Sequence, residues 1–193
     1  MRRFVFFVPY AYDYVLPRKS GGTTERCAQA LHYATEVLSS DDVDTIRYAI
    51  LTAGYTKESP KETTQEHSVS LAAQQSNYLN SLGDTSRHLI DPSGWGTFDE
   101  TFHSIRIIKR MLKMYDASDS EIHVVVSSNP FHLFGRVALC WRLMKPDGWK
   151  IHFVKAYHRY TWKERFQEIF LKIPGYAWRL FVKKEHLTAA NSR

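Results

Sequence analysis

Three consecutive valines, Val124–Val126, followed at once by polar residues, constrain the fold of this chain more than any other stretch. An unbroken β-branched run of this kind is typical of a strand that is buried on both faces. Ser127–Asn129 supply a polar turn, and Pro130–Met144 is predicted to form a turn followed by a helix. A buried strand that leads through a polar turn into a helix is one part of a parallel α/β unit.

The same alternation of strand and helix recurs along the chain. Five strands are predicted, namely Arg3–Val8, Thr45–Ala53, His88–Asp91, Glu121–Ser127 and Trp149–Ala156. Helical periodicity marks the segments between them, over about 23–38, 65–82, 97–115 and 130–144. This order predicts an α/β, Rossmann-like fold: an open, mostly parallel five-stranded sheet with helices on both faces and a C-terminal amphipathic helix.

Residues 1–157 are expected to form this domain, and 158–193 a basic, aromatic helical extension. Trp162, Phe166 and Phe170 recur at helical spacing, so an amphipathic helix or pair of helices is predicted over 161–187. Such an apolar face either packs on the sheet or binds an anionic membrane, a partner or nucleic acid. We expect packing, keep peripheral membrane contact through 161–184 as the alternative, and do not expect nucleic acid.

Charge is distributed unevenly along the chain. Residues 1–135 contain 13 Lys and Arg against 16 Asp and Glu, whereas residues 136–193 contain 13 against 4. The basic character therefore belongs to the C-terminal third, which predicts an anionic ligand or surface near that end.

The two cysteines and the first apolar run predict the redox state of the thiols and the cellular compartment of the protein. Cys27 and Cys140 are too few for a disulfide framework and lie on apolar helix faces, so buried free thiols are expected. The apolar run Phe4–Val8 is too short for a signal peptide or a spanning helix. We therefore expect a cytoplasmic protein that is at most membrane-peripheral.

Polar and glycine-containing segments follow four of the predicted strands, at the edge where parallel sheets bind ligands. They are Pro9-Tyr10, Gly54-Tyr55, Asp91–Thr97 and Ser127–His132. From this placement we predict a site for a small molecule, with an anionic ligand favoured by the helix start after Ser127–Asn129.

His132 and Arg136 lie one helical turn apart and therefore share a face. In the functional interpretation, Arg136 binds an anionic group and His132 donates to it or moves a proton, since histidine titrates near neutral pH. The alternative is a histidine at a helix start and a solvated arginine, with no ligand.

Asp91–Glu100 carries a second set of candidates, expected to form a pocket wall beside the end of the valine strand. Asp91 and Asp99 either face this pocket, where they bind ribose hydroxyls or a metal or act as acid and base, or have no ligand. Without a ligand, Thr97 and Glu100 form a capping box and Asp99 complements the helix dipole. That explanation leaves Asp91 and Trp95 unaccounted for, so both interpretations stay open.

Several common functional signatures do not occur. The sequence has no HExxH, no paired Cys/His spacing, no Walker loop, no GxGxxG after the first strand and no GxSxG. It therefore predicts no metal site and argues against ordinary NTPases, dinucleotide dehydrogenases and α/β-hydrolases.

Taken together, these segments resemble the ElyC/SanA/YdcF family of Rossmann-like bacterial proteins, over roughly Arg3 to Tyr157. The matching pieces are Arg26 near a helix start, the turn Thr52-Ala53-Gly54, Asp91 with Thr97-Phe98-Asp99, and Ser127-Ser128 with His132 and Arg136.

The resemblance implies a pocket at the strand ends. In our first hypothesis, Arg26 and Arg136 hold an anion there beside His132, which handles the proton if a group is hydrolysed or transferred. One branch of the family is associated with S-adenosylmethionine binding, and others with the integrity of the envelope and its polysaccharides. We therefore expect the protein to bind a phosphate-bearing or nucleotide-like ligand. Whether the protein acts on that ligand as a hydrolase or a transferase stays open.

Two further hypotheses follow from the same residues. The first is a non-enzymatic module that binds S-adenosylmethionine, in which Asp91 contacts the ribose and Trp95 or Tyr55 stacks on the base. The second is a peripheral factor in envelope biogenesis that works through the C-terminal helix.

Overall fold

The computed structural model describes residues 2–10, 23–38, 44–54, 69–94 and 96–156, with 162, 166, 169–170 and 173–174 near the C-terminal end. Tyr55 and Trp95, both expected to bind ligand, lie outside these residues, as does most of the expected C-terminal helix.

Five strands form one sheet in which every pairing is parallel. In chain order the strands are β1 (Arg3–Pro9), β2 (Thr45–Ala53), β3 (Arg87–Gly94), β4 (Glu121–Ser128) and β5 (Lys150–Lys155). Across the sheet their order is β3-β2-β1-β4-β5. The prediction of a Rossmann-like α/β fold built on a parallel five-stranded sheet is confirmed.

The connections between strands contain the helices. They are α1 (Thr23–His32), α2 (Leu71–Ser81), α3 (Thr97–Met114), α4 (Pro130–His132) and α5 (Ala138–Met144). Two segments are π-helical, Tyr33–Val37 after α1 and Leu133–Val137 between α4 and α5. The helix predicted within 130–144 therefore contains a π-helical segment immediately after His132.

The apolar run of β1 supplies both halves of the core. Phe4 and Phe6 pack in one cluster with Trp141 and with residues of α3, whereas Val5 and Phe7 pack in another with residues of α1 and α2. Because side chains alternate between the faces of a strand, a continuous apolar run is required when helices cover both faces.

Cys27 and Cys140 are buried and free, as predicted. Burial raises the pKa of each thiol to about 12. Both therefore stay protonated at neutral pH and behave as small apolar groups rather than as nucleophiles.

The C-terminal aromatic residues do not all pack as expected. Trp162, Phe166 and Phe170 are exposed, so the expectation that this face packs on the sheet is wrong for them. Ile173 is half-buried and lies against Gly135. In the part of the chain described here, no helix has both the length and the apolar character needed to cross a membrane.

A charged network joins the amino ends of β1, β4 and β5, at the edge of the sheet opposite to the predicted site. Arg3 Nε donates to Glu121 Oε2 at 2.8 Å, and Lys150 also pairs with Glu121. His123 Nε2 lies 3.0 Å from Glu121 Oε1, and His123 Nδ1 is hydrogen-bonded to His152 Nε2 at 2.9 Å. These contacts, from Lys150 first and then His123 and Arg3, lower the pKa of Glu121 to about 2.

This network predicts that the fold loses stability in mild acid. Burial lowers the pKa of His152, and the positive charges of His123 and Lys150 lower it further. The unfolded chain, with a histidine pKa of about 6.5, then binds the proton more readily, so stability falls as the pH drops below that value. Denaturant unfolding between about pH 7 and pH 5 should show a steep fall for the natural chain and a shallower one for His152→Gln.

His32→Gln is the matched control, because His32 is exposed at the end of α1, where it pairs with Glu36. It should keep the pH dependence of the natural chain. The prediction would be contradicted if His152→Gln showed an equally steep fall between the same two pH values.

Candidate functional site

The chain crosses the sheet once, between β3 and β4, and so creates a switch point between β1 and β4. Ligands of open parallel sheets bind at such a point, outside the carboxyl ends of the strands. Here the two strands stay paired to their last residues, because Tyr10 N donates to Ser127 O at 3.0 Å. Pro9, Tyr10 and Ser127–Asn129 all lie at this position, and all are buried.

His132 is held at the switch point by both ring nitrogens. Nδ1 lies 2.8 Å from the Ser128 hydroxyl, and Nε2 lies 2.7 Å from the Thr97 hydroxyl. The backbone N–H of His132 donates to Asn129 Oδ1 at 3.1 Å, which caps α4. With 7% of its surface exposed, the imidazole cannot rotate freely. The structure therefore brings together His132, Ser128, Asn129 and Thr97, four of the residues predicted for the site.

Thr97 does not form the capping box considered above. Gly96 occupies the capping position of α3, and it makes no side-chain capping bond. The Thr97 hydroxyl instead bonds His132, which is 35 residues away in sequence. The capping-box interpretation is therefore wrong, and Thr97 links the start of α3 to the end of β4.

Tyr10 supports the imidazole from the side. The two rings meet edge to face, with centroids 5.9 Å apart and planes at 89°. The phenol oxygen is hydrogen-bonded to Thr101 and accepts from Trp141 Nε1 at 3.0 Å. Burial, reinforced by the negative charge of Glu100, raises the pKa of Tyr10 well above its ordinary value. The phenol therefore stays neutral and acts as a fixed hydrogen-bonding group.

Arg26 places a buried positive charge beside the same strand ends. Its Nη1 donates to Tyr10 O at 2.8 Å, and its carbonyl oxygen accepts from the Ser127 hydroxyl at 2.5 Å. Gln75 Nε2 donates to Pro9 O at 2.7 Å from the neighbouring helix. The end of β1 is thus fixed by side chains of α1 and α2, and a guanidinium group suited to phosphate or carboxylate lies next to it.

Asp91 lies at a different part of the sheet. It belongs to the edge strand β3, and β2 and β1 separate this strand from β4. Its carboxylate accepts from Ser93, and Oδ2 lies 3.3 Å from His103 Nδ1. Partial burial raises the pKa of Asp91, but hydrogen bonds from Ser93 and the charge of His103 outweigh this effect and lower it. The expectation that the ends of β3 and β4 are adjacent is therefore wrong.

Two other predicted residues have structural surroundings of their own. Arg136 is half-buried in the π-helical segment, close enough to Cys140 for its charge to act on that thiol. Asp99 is half-buried in the first turn of α3, where a negative charge complements the helix dipole.

At Gly54, the backbone of the segment after β2 comes close to the backbone of β3. Its N–H donates to Gly94 O at 2.8 Å, and its carbonyl oxygen accepts from Leu71 N at 2.9 Å. A Cβ at this position would lie 2.9 Å from both Pro92 O and Gly94 O. A glycine is therefore required to join β2 to β3, independently of any ligand.

Sequence reasoning missed several members of the cluster, namely Gln75, Glu100, Thr101 and Trp141. Signals for some of them were present. Gln75 is a polar residue on the otherwise apolar face of α2, and Thr97, Thr101 and Ser104 recur at helical spacing. A polar stripe inside an apolar face indicates that a buried polar partner lies opposite.

Within the described ranges, no group of three or more His, Cys, Asp or Glu side chains is arranged to hold a metal ion. Comparison with protein-family models, with curated proteins and with solved structures found no match. Function is therefore inferred from the side chains at the switch point.

Proposed function

We propose that the protein binds an anionic small molecule, phosphate-bearing or nucleotide-like, at the carboxyl end of the sheet beside His132. One observation carries this proposal: the imidazole is bonded through both nitrogens to the hydroxyls of Thr97 and Ser128. A neutral imidazole has one N–H donor and one acceptor nitrogen. One of these hydroxyls must therefore donate to the ring whenever it is neutral.

A hydroxyl that donates to an imidazole is the arrangement by which a base removes or relays a proton. In the proposed role, His132 takes the proton from one hydroxyl while the other fixes the orientation of the ring. Tyr10 contributes orientation as well, because its ring packs edge-on against the imidazole. A proton-handling group held this rigidly costs little reorganisation when a ligand arrives.

The preference for an anion rests on Arg26. Its guanidinium is fully buried and positioned by the carbonyl oxygen of Tyr10, one residue beyond β1. A positive charge in a low-dielectric setting attracts phosphate or carboxylate more strongly than one in water. Arg136 is the second proposed cation, approaching from the π-helical segment.

The proposed reaction class comes from the resemblance to the ElyC/SanA/YdcF family. We propose a hydrolase or transferase of envelope or polysaccharide metabolism, acting in the cytoplasm or at the membrane surface. We assign Asp91 no role in proton transfer in this reaction, because its carboxylate is hydrogen-bonded to Ser93 and pairs with His103. The hypothesis of an S-adenosylmethionine-binding module requires that same carboxylate to contact the ribose, so it receives less support. S-adenosylmethionine is therefore included as one probe in the experiment below.

Calorimetric titration tests the proposal directly. Inorganic phosphate, AMP and S-adenosylmethionine serve as probes of binding, and p-nitrophenyl phosphate as a probe of turnover. We expect at least one phosphate-bearing probe to bind. His132→Gln should weaken binding or turnover by about tenfold or more, because an amide keeps a hydrogen bond to a hydroxyl but cannot carry a proton.

His32→Gln is again the matched control, since His32 is exposed at the end of α1. Its titrations should equal those of the natural chain. If no phosphate-bearing probe binds, the anion proposal fails. If phosphate binds but His132→Gln behaves as the natural chain, His132 has no part in the site.

A further inference from the structure

Several large apolar side chains near the C-terminal end face solvent. Trp162 is 80% exposed, Phe166 53% and Phe170 61%, and Ile169 is exposed beside them. The rings of Phe166 and Phe170 contact each other, with centroids 4.9 Å apart. We call these residues the aromatic stripe. They occupy helical backbone positions, and their spacing places them along one side.

The stripe is anchored to the folded domain beside a second apolar surface. Ile173 lies against Gly135, so closely that an added Cβ would come within 2.5 Å of Ile173 Cδ1. A groove of about 530 Å³ opens here, lined by Phe131, Phe134, Leu139, Arg142 and Ile173 among others. Phe134 is itself 53% exposed. The apolar area therefore continues from the stripe onto the helical segment that follows His132.

Positive charge borders this apolar area. Lys155 Nζ lies 5.3 Å from the centroid of the Phe134 ring, and Arg142 lines the groove. The sequence of residues 136–193 contains 13 Lys and Arg against 4 Asp and Glu. Aromatic side chains next to lysine and arginine are the combination that binds the interface of an anionic bilayer, where rings enter the headgroup region and cations meet phosphate.

We propose that the aromatic stripe, together with Phe134, Lys155 and Arg142, is a docking surface for an anionic lipid membrane. Charge complementarity favours an anionic membrane over a second copy of the chain. Two copies that met at this surface would bring one basic surface against another. Docking here places the protein peripherally, with the segment after His132 facing the lipid headgroups. The inference does not rest on the His132 site, because the docking surface is argued from other side chains.

Vesicle flotation of the full chain tests the docking surface. The protein should float with vesicles that contain phosphatidylglycerol and stay behind with phosphatidylcholine alone, and added salt should weaken the binding. The triple variant Trp162→Ser, Phe166→Ser, Phe170→Ser should lower partitioning by about tenfold or more. Lys155→Glu with Arg142→Glu should lower it by roughly fivefold or more.

Met114→Ser is the matched control, because Met114 is also an exposed apolar residue, 77% exposed, but lies at the end of α3. It should float as the natural chain does. All the substituted side chains are exposed, and circular dichroism melts should verify that the variants keep the fold.

Three results would overturn the proposal. The first is an absence of flotation with anionic vesicles, and the second is equal flotation of the triple variant. The third is sedimentation equilibrium that shows a dimer which the triple variant dissociates, without vesicle binding, because the stripe would then be covered by a second copy. None of these results would affect the phosphate titrations of the His132 site.

Discussion

Replacing Trp141 with alanine should lower the free energy of unfolding by about 3–5 kcal/mol. Trp141 is fully buried, and its ring belongs to the core cluster between the sheet and α3. Its Nε1 also donates to Tyr10 OH at 3.0 Å, so the substitution removes apolar packing and a hydrogen bond together. Denaturant unfolding at neutral pH measures the change.

Two further variants identify the source of that loss. Trp141→Phe keeps an aromatic ring but removes the donor, and should cost about 1–3 kcal/mol. Leu143→Ala, two residues later in α5 and 60% exposed, should change stability by less than about 0.5 kcal/mol. A Trp141→Ala variant within about 1 kcal/mol of the natural chain would show that the core does not depend on this ring.

Replacing Gly94 with alanine should cost about 2–3 kcal/mol. An added Cβ would lie 2.3 Å from Thr52 O and 2.8 Å from Glu100 Cγ, closer than atoms can approach. Relief requires a backbone shift of β2 or β3, since Thr52 O belongs to a paired strand. Because the charge of Glu100 acts on Tyr10, which packs against the imidazole, the displacement should reach His132 too. Phosphate titration of the variant should then show weaker binding than the natural chain.

Gly148→Ala is the control that separates the stability cost of steric overlap at Gly94 from the cost of replacing a glycine by alanine. Gly148 has φ +80°, and among the described residues no atom lies within 4 Å of an added Cβ. Its cost should be about 1–2 kcal/mol, from backbone strain alone. It should leave phosphate binding unchanged, because Gly148 lies between α5 and β5. Unaltered stability of Gly94→Ala would contradict the close approach of the two strands.

The sequence was sufficient for the elements and the fold class. Apolar runs such as Phe4–Val8 and Val124–Val126 predicted strands buried on both faces, and the helices follow the predicted periodicity. The order of strands was not predicted, because periodicity records which residues face inward and not which strand lies beside which. The distance between Asp91 and His132 depends on that order, and so their expected adjacency was wrong.

The site was predicted in part for a related reason. His132, Ser128 and Asn129 are close in sequence, so their strand–turn–helix pattern indicates their proximity. Thr97 and Tyr10 reach the imidazole from distant segments, and no local pattern identifies such a contact. Thr97 was open to a capping explanation because Thr-x-x-Glu is a common local motif. In the folded protein, the Thr97 hydroxyl makes a hydrogen bond with His132 instead of the local capping bond.

The central position of β1 has a consequence for the chain as it is synthesised. The strand pairs with β4 from its first residues, and Arg3 meets Glu121, 118 residues later. Until the ribosome has made that second segment, one edge of a strand that contains Phe4, Phe6 and Phe7 has no neighbour. Unpaired apolar edges attract other chains, and long-range parallel pairing forms slowly. The topology therefore leaves this apolar edge open to pairing with other chains until β4 has been made.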